Sequence, residues 1–165
     1  MNIEKKVINV VKVLFVCLGN ICRSPMAEAV FQQLVSDKGL DDKFVVDSAG
    51  TADYHVGEAP HEGTIQKLKE HGIATTGLMG RQVSIDDFTH FDYIVPMDED
   101  NIHELRRLET LESNARLKKL LDYVPGTTVN EIPDPYLTGD FEETYALVSE
   151  ACKFLLDDIR SENDL

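Results

Sequence analysis

The chain has 165 residues, 30 of them acidic and 16 basic, so its net charge is −14 at pH 7. This length suits one domain of ordinary size, and a hydrophobic content of 42% is that of a globular protein. The negative charge argues against binding to nucleic acid or to an anionic membrane surface, since both require a basic face. No apolar run is long enough to span a bilayer and no signal peptide is visible, so we expect a cytoplasmic protein without membrane insertion.

Strands and helices alternate in the predicted chain. Residues 1–9 are polar and are expected to be flexible. Segment 10–17 is rich in valine and apolar on both faces, as is typical of a central parallel strand. After a short loop, Ser24 and Pro25 suit the N-cap and first position of a helix that ends before Gly39.

The rest of the chain continues this alternation. Further strands are predicted at 44–47 and 91–97, and further helices at 60–71, 98–109 and 141–160. In the helix at 60–71, Ile65 and Leu68 are expected to face inward. Segment 118–124 is ambiguous between a short helix and the last strand, and 125–140 is expected to be a loop. Strands that alternate with helices predict an α/β fold with three layers, in which helices cover both faces of a parallel sheet. We expect one domain over residues 10–162.

The loop after the first strand combines a thiol with a guanidinium. Cys17 ends the strand and Arg23 follows after five residues, among which Gly19 and Asn20 tolerate backbone conformations that other residues resist. At the carboxyl end of a parallel strand, successive amide groups of such a loop form a nest for an anion. The groups that hold a phosphate also stabilise a thiolate, the reactive form of cysteine. The spacing therefore predicts a phosphate-binding loop with Cys17 as nucleophile, rather than a cysteine with a purely structural role.

Arg23 and Ser24 have predicted roles beside this thiolate. The planar guanidinium of Arg23 can bind two phosphate oxygens at once. The Ser24 hydroxyl can donate to the sulfur and so lower the basicity of an atom that must later leave. Because the loop lacks the G-K-[ST] pattern of nucleotide-binding loops, ATP or GTP binding is not expected.

Asp134 is the candidate general acid. The oxygen of a phosphate ester leaves poorly until it is protonated, and a carboxylate between Pro133 and Pro135 is presented on a stiff segment. The local pattern alone leaves this role open, because aspartate is also common in proline-rich turns. Asp98 and Glu28 are interpreted as helix-start residues, with the acidic cluster 98–100 in solvent.

The remaining histidines and cysteines indicate no metal site. Five scattered histidines and three cysteines do not provide the ligand spacing of a zinc site, so no metal or other cofactor is expected. His55 lies near Tyr54 and could edge the cleft, but a surface or capping role is the favoured interpretation. Cys152 lies on the apolar stripe of the last helix and is expected to be an inert core thiol.

Several blocks carry a family resemblance. VLFVCLGNICRSPMAEAVF, residues 13–31, resembles the signature of the low-molecular-weight protein tyrosine phosphatases. Three further blocks agree in order and spacing: DSAGTADYHVGE at 47–58, GRQV at 80–83 with FDYIVPMDEDN at 91–101, and DPY at 134–136. The resemblance covers about residues 10–160. It implies a four-stranded parallel sheet and metal-free hydrolysis of phosphotyrosine in proteins or peptides through a phosphocysteine, with inorganic phosphate as product and inhibitor.

The resemblance also implies roles for single residues. Cys17 corresponds to the nucleophile, Arg23 to the phosphate-binding arginine and Asp134 to the general acid. Asn20 and Ser48 correspond to a hydrogen-bonded pair that holds the loop in shape. The residues that would contact the substrate or its phosphate are Leu18, Gly19, Asn20, Ile21, Cys22, Ser24, Tyr54 and Tyr136.

Other positions bear on redox behaviour and on departures from the family. Cys22 corresponds to a second loop cysteine that can form a protective disulfide with Cys17 under oxidation. Leu137 follows Tyr136 where the family often has a second aromatic residue. Leu78 stands where several members carry a loop-supporting histidine, so Asn20 and Ser48 would carry more of that support.

Three alternatives stay open. A protein-arginine phosphatase is a close relative, but such enzymes tend to have threonine where Ile21 stands, and isoleucine favours a flat aromatic ester. An arsenate reductase of the same fold would need two further cysteines, and only Cys152 lies outside the loop. A phosphate-binding module without catalysis is disfavoured because Cys17, Arg23 and Asp134 occur together.

Overall fold

The computed structural model describes residues 10–165. The predicted flexible segment 1–9 lies outside the described residues, and the division into this segment and a domain over 10–162 stays a prediction. No helix in the described part of the chain is long and apolar enough to cross a membrane.

A four-stranded parallel sheet with the order β2-β1-β3-β4 forms the centre of the fold. The strands are β1 Val11–Cys17, β2 Phe44–Gly50, β3 Tyr93–Pro96 and β4 Arg116–Leu117. Phe15 of β1 lies opposite Ser48 of β2 and Val95 of β3, so β1 is central and paired on both sides. The predicted α/β fold with a four-stranded parallel sheet is confirmed.

Six α-helices connect and cover these strands within the described residues. They are α1 Arg23–Asp37, α2 Glu62–Glu70, α3 Asp87–His90, α4 Glu99–Leu108, α5 Pro135–Thr138 and α6 Phe141–Asn163. Short 3-10 helices lie at Asp41–Lys43 and Leu120–Tyr123. The ambiguous segment 118–124 is therefore mainly a 3-10 helix, with β4 just before it. The predicted loop 125–140 contains one extra helical turn, α5.

Alternation along β1 divides the core into two clusters. Val13, Phe15 and Cys17 belong to one cluster, which includes apolar residues of α1 and α6. Leu14 and Val16 point to the opposite face and join the other cluster with apolar residues of α3 and α4. Burial of each such large side chain contributes about 1.5–3 kcal/mol to stability. Because both faces of β1 are buried, its carboxyl end is fixed rigidly where the candidate site begins.

Two local expectations need correction. Ser24 is not the N-cap of α1, because the helix begins at Arg23 with Cys22 as its N-cap; the Ser24 hydroxyl lies beside the Cys17 sulfur, which is the contact predicted for it. In α2, Thr64 is buried together with Leu68, whereas Ile65 is only partly buried. The Thr64 hydroxyl is satisfied there because it donates to the Cys22 carbonyl at 3.1 Å. Both differences arise from side-chain bonds with the loop after β1, which the helical pattern does not reveal.

Candidate active site

The candidate site lies at the carboxyl edge of the sheet, where three loops meet. Cys17 ends β1, and Arg23 begins α1 after the connecting loop. Asp98 follows β3 and caps α4. Asp134 arrives from a distant part of the chain as the N-cap of α5. This is the edge at which open α/β sheets bind ligands.

A cavity of about 410 Å³ opens between these loops. Cys17 and Arg23 are almost fully buried beneath it, whereas Tyr54 and Tyr136 are 70% and 62% exposed at its mouth. We call these two tyrosines the substrate rim, after the role predicted for them. The cavity is lined by Cys17, Leu18, Gly19, Ile21, Cys22, Arg23, Tyr54, His55, Asp134, Tyr136 and Leu137.

Hydrogen bonds from the loop hold the Cys17 sulfur. The amide of Asn20 donates to Sγ at 3.3 Å, and the Ser24 Oγ lies 3.1 Å from Sγ. The same Ser24 oxygen accepts a hydrogen bond of 2.7 Å from Asn20 Nδ2, so its own proton is free to point at the sulfur. The Asn20 amide and the Ser24 hydroxyl are thus both placed to donate to this sulfur.

Asn20 sets the shape of the loop. Its φ of +56° lies in the left-handed region, which asparagine tolerates better than most residues. Its buried amide donates to both Ser24 and Ser48, and its Oδ1 accepts from the Arg81 amide at 2.9 Å. A strained backbone residue thus has three side-chain bonds that compensate for its conformation.

Glu28 ends this chain of hydrogen bonds. The Ser48 hydroxyl donates to Glu28 Oε1 at 2.5 Å and accepts from Asn20 Nδ2 at 3.0 Å. Burial raises the pKa of Glu28 to about 7, and the nearby Asp47 charge adds to this, although the Ser48 bond and Arg81 oppose it. Glu28 is therefore not the helix-start residue that its sequence position suggests. The predicted Asn20–Ser48 pair is present, and Glu28 extends it.

Arg23 is held rigidly by its surroundings. Its Nη1 donates to Asp98 Oδ2 at 2.6 Å and to the Ile132 carbonyl at 3.0 Å. Burial lowers the pKa of the guanidinium, but Cys17, Asp98 and Asp134 outweigh this effect and raise it overall. Its Nε is buried without a hydrogen-bond partner among the described residues. A buried donor without a partner is costly, which is consistent with a site made for an anion.

Asp98 does more than begin a helix. Its Oδ1 accepts from the Asn101 amide at 2.8 Å in a capping box, and Oδ2 binds Arg23. The capping prediction is confirmed, but the view of Asp98 as part of a solvated cluster is wrong. Its sequence signal was its place directly after β3, at the same sheet edge as Cys17.

Asp134 lies across the cavity from the loop. Its Oδ1 accepts from the Tyr136 amide at 3.0 Å, which caps α5, and its Oδ2 lies 3.6 Å from Arg23 Nη2. The carboxylate is about one fifth exposed, so it faces both the cavity and solvent. The structure thus brings Cys17, Arg23 and Asp134 together around one cavity, while their catalytic roles stay predictions.

The two other cysteines have different environments. Burial, followed by the charges of Cys17 and Asp134, raises the pKa of the Cys22 thiol to about 12. Cys152 is completely buried in the core, where burial raises its pKa. The prediction of a buried Cys152 is confirmed.

His55 lies at the edge of the cavity, the less favoured of the two places that the sequence offered for it. Expected in a surface or capping role, it lines the cavity beside Tyr54 and lies against Gly19. Its Nδ1 is 2.5 Å from Glu58 Oε2, which fixes the ring orientation. Among residues 10–165, no group of three or more His, Cys, Asp or Glu side chains is arranged to hold a metal ion.

Residues 12–165 match the family model described as low molecular weight phosphotyrosine protein phosphatase. This chain belongs to the low-molecular-weight protein tyrosine phosphatase family. The predicted family membership is thereby confirmed. Alignments of the phosphatase with two relatives cover nearly the whole of each chain. Low molecular weight protein-tyrosine-phosphatase YfkJ of Bacillus subtilis is 48% identical over 155 residues, covering 94% of this chain and 99% of the relative. The low molecular weight phosphotyrosine protein phosphatase of Sus scrofa is 42% identical, covering 90% and 95%.

Solved structures agree with this assignment. The crystal structure of YfkJ from Bacillus subtilis superposes on the phosphatase with a TM-score of 0.91, covering 93% of this chain and 97% of the other. A structure described as DARP, drosophila arginine phosphatase, gives a TM-score of 0.85 at 38% identity, covering 90% and 98%. The family fold therefore extends to proteins named for different phosphoamino acids.

Proposed function

We propose that this phosphatase hydrolyses phosphotyrosine in proteins or peptides, and small aryl phosphates, through a phosphocysteine on Cys17. The observation that carries the proposal is the convergence of Cys17, Arg23 and Asp134 on one cavity. The sulfur lies on its floor with two donors directed at it. The buried guanidinium beside it has an unpartnered Nε among the described residues. These features support a nucleophile next to an oxyanion-binding group.

In the first step the Cys17 thiolate attacks phosphorus in line with the ester oxygen. A bond forms between Sγ and phosphorus as the bond from phosphorus to the phenolic oxygen breaks. Arg23 and the loop amides stabilise charge on the equatorial oxygens in a loose transition state. Asp134 gives its proton to the departing oxygen, so the product leaves as a neutral phenol.

In the second step water hydrolyses the phosphocysteine. Asp134, now a carboxylate, takes a proton from the water whose oxygen attacks phosphorus. The sulfur–phosphorus bond breaks, inorganic phosphate is released, and Cys17 returns to its thiolate. The Ser24 hydroxyl stabilises that thiolate as leaving group, and splitting the reaction into two steps lowers each barrier.

The lining of the cavity favours an aromatic phosphate ester as the substrate. The substrate rim of Tyr54 and Tyr136 flanks the mouth, and Ile21 and Leu137 add apolar surface. Aromatic pairs contribute about 0.5–1.5 kcal/mol beyond the area they bury, so two rim rings favour a phenyl group over an alkyl chain.

Protein-arginine phosphatase activity is the second candidate. The structural similarity to a protein described as drosophila arginine phosphatase supports it, since the fold is shared. A phosphoarginine side chain would place a cationic guanidinium group near Asp134. Against it stands Ile21, which presents an apolar wall where that class tends to have threonine.

Turnover of p-nitrophenyl phosphate and of matched phosphotyrosine and phosphoarginine peptides, with EDTA present, tests both candidates. The proposal predicts activity in EDTA, a higher kcat/KM for phosphotyrosine, and no activity in Cys17→Ser. Cys152→Ala, which alters a thiol remote from the cavity, is the matched control and should keep activity. Activity in Cys17→Ser would contradict the nucleophile assignment, and loss of wild-type activity in EDTA would contradict the metal-free mechanism. A higher kcat/KM for the phosphoarginine peptide would contradict phosphotyrosine as the preferred substrate and favour the protein-arginine phosphatase candidate.

A further inference from the structure

An aromatic cluster behind the substrate rim connects three parts of the fold. It consists of His61, just before α2, Phe141 at the start of α6, and the rim residue Tyr136. The His61 ring stacks on Phe141 with centroids 5.0 Å apart and planes at 23°. The same ring meets Tyr136 edge to face, at 6.1 Å and 86°. Both geometries lie in the favourable range for aromatic pairs.

The Phe141 ring of this cluster is held in place by close packing. Its ring packs so closely on Gly63 that a Cβ at position 63 would lie 2.6 Å from ring carbons. The stack on His61 covers the ring further, and Asp140 caps α6 by accepting from the Glu143 amide. A ring held in this way is a rigid support for the imidazole stacked on it.

His61 itself is fixed by two hydrogen bonds in addition to its stack on Phe141. Its Nδ1 accepts from the Gly63 amide at 3.0 Å, which caps α2. Its backbone amide donates to the Ile21 carbonyl in the phosphate-binding loop at 2.7 Å. The imidazole therefore stands in one orientation relative to the loop, with its ring next to Tyr136.

Tyr136 has little other support. Its side chain is 62% exposed, and the neighbouring Leu137, where a second aromatic would often stand, is 82% exposed. Its backbone amide donates to Asp134, so the position of the tyrosine is coupled to that of the candidate general acid. An exposed ring on a four-residue helix needs a lateral contact to keep one orientation at the mouth of the cavity.

We infer that His61 is a positioning residue for aryl phosphates, which holds the rim residue Tyr136 in place through its imidazole ring. The inference rests on the proposed function, because it assigns the rim a role in binding an aromatic ester. His61 touches neither the phosphate nor the reacting atoms. Its loss should therefore weaken binding of the aryl group and leave phosphate binding unchanged.

Two substitutions separate the ring from the helix cap. His61→Asn keeps an N-cap acceptor and removes the ring, whereas His61→Phe keeps a ring and removes the acceptor. For His61→Asn we expect the KM of p-nitrophenyl phosphate to rise about two- to tenfold, the range an aromatic pair contributes, with kcat within about twofold. The Ki of inorganic phosphate should stay within about twofold. His61→Phe should keep the KM within about twofold and lower the melting temperature.

A double-mutant cycle completes the test. In a Tyr136→Leu background, His61→Asn should cause no further rise in KM, since the ring it supports is gone. The inference is overturned if His61→Asn leaves KM unchanged, if the phosphate Ki rises in parallel with KM, or if His61→Phe raises KM as much as His61→Asn. An inactive wild-type enzyme would instead contradict the proposed function itself.

Discussion

Asp98 Oδ2 accepts a 2.6 Å hydrogen bond from Nη1 of Arg23, while Oδ1 of the same carboxylate caps α4. One side chain thus fixes the start of a helix and the direction of a buried guanidinium. The Ile132 carbonyl holds the same Nη1, which leaves Nη2 and Nε for other partners. The geometry of the proposed anion site depends on this pair.

Asp98→Ala should lower kcat/KM for aryl phosphates by roughly 10- to 100-fold. The loss of a buried, hydrogen-bonded partner of Arg23 costs about 2–5 kcal/mol. Only part of this cost is added to the activation free energy of the reaction. The Ki of inorganic phosphate should rise as well, because the guanidinium loses its anchor. Steady-state kinetics with phosphate as competitive inhibitor measures both values. Asp100→Asn, on an exposed neighbour in the same helix, is the control and should behave as wild type.

The loss of activity caused by Asp134→Ala should depend on the leaving group of the substrate. General acid assistance is worth about 10²–10⁴-fold, so turnover of phenyl phosphate should fall within that range. An activated ester whose phenol has a low pKa needs less protonation, and its phosphorylation step should slow less. A series of aryl phosphates assayed in both proteins gives the slope of rate against leaving-group pKa. Equal losses across the series would contradict the role of Asp134 as acid.

Ser24→Ala should slow the second step more than the first. The Ser24 hydroxyl is the side-chain donor available to the departing thiolate, so its removal makes sulfur a poorer leaving group. Pre-steady-state mixing with p-nitrophenyl phosphate should then show a burst of p-nitrophenol followed by slow turnover. A uniform slowing without a burst would assign Ser24 a role in the loop structure instead.

Glu28→Gln should change how stability depends on pH. Because the folded-state pKa of about 7 exceeds the ordinary value of 4.5, the folded protein keeps a proton that the unfolded chain releases between these values. Glu28 therefore lowers the free energy of unfolding as pH rises from about 5 to 7.5, by roughly 1–3 kcal/mol. The Glu28→Gln protein lacks this loss, so its stability relative to wild type should increase over the same window.

Urea unfolding at about pH 5 and about pH 7.5, the two ends of that window, measures the effect. Glu62→Gln, at an exposed position in α2, serves as control and should follow wild type. If the Glu28→Gln and Glu62→Gln proteins show the same pH dependence, the raised pKa of Glu28 is refuted.

Alkylation at neutral pH should be confined to Cys17. Only the thiolate reacts readily, and burial raises the pKa of both Cys22 and Cys152 far above neutrality. Mass spectrometry of peptides after brief iodoacetate treatment should find the label on Cys17, with protection by inorganic phosphate. Label on Cys22 at a comparable rate would contradict the difference between the two thiols.

The conformation of the candidate phosphate-binding loop could be predicted from sequence because its parts are contiguous. Cys17, Asn20 and Arg23 fall within one strand–loop–helix unit, and local rules on backbone conformation and anion binding apply there directly. The parallel sheet was likewise predictable from the alternation of apolar strands and helices. The family resemblance supplied the fourth strand, which at two residues is too short to carry a pattern of its own.

The supporting residues could not be predicted in the same way. Asp98 and Glu28 look like helix-start residues, and only the packing of β3 and β2 beside β1 brings them to Arg23 and Ser48. Ser24 is a mixed case: the N-cap expected of it is absent, whereas the contact of its hydroxyl with the Cys17 sulfur was predicted from the loop and is present. The contacts of Asp98 and Glu28 are tertiary contacts that local sequence does not encode.

The most direct test of the central claim is mass spectrometry of the enzyme after acid quenching during turnover of a phosphotyrosine peptide. The proposed mechanism predicts one phosphoryl group bound to the Cys17 sulfur, more abundant in Ser24→Ala and absent from Cys17→Ser. Rapid release of phosphate with no phosphorylated Cys17 in either wild type or Ser24→Ala would contradict it.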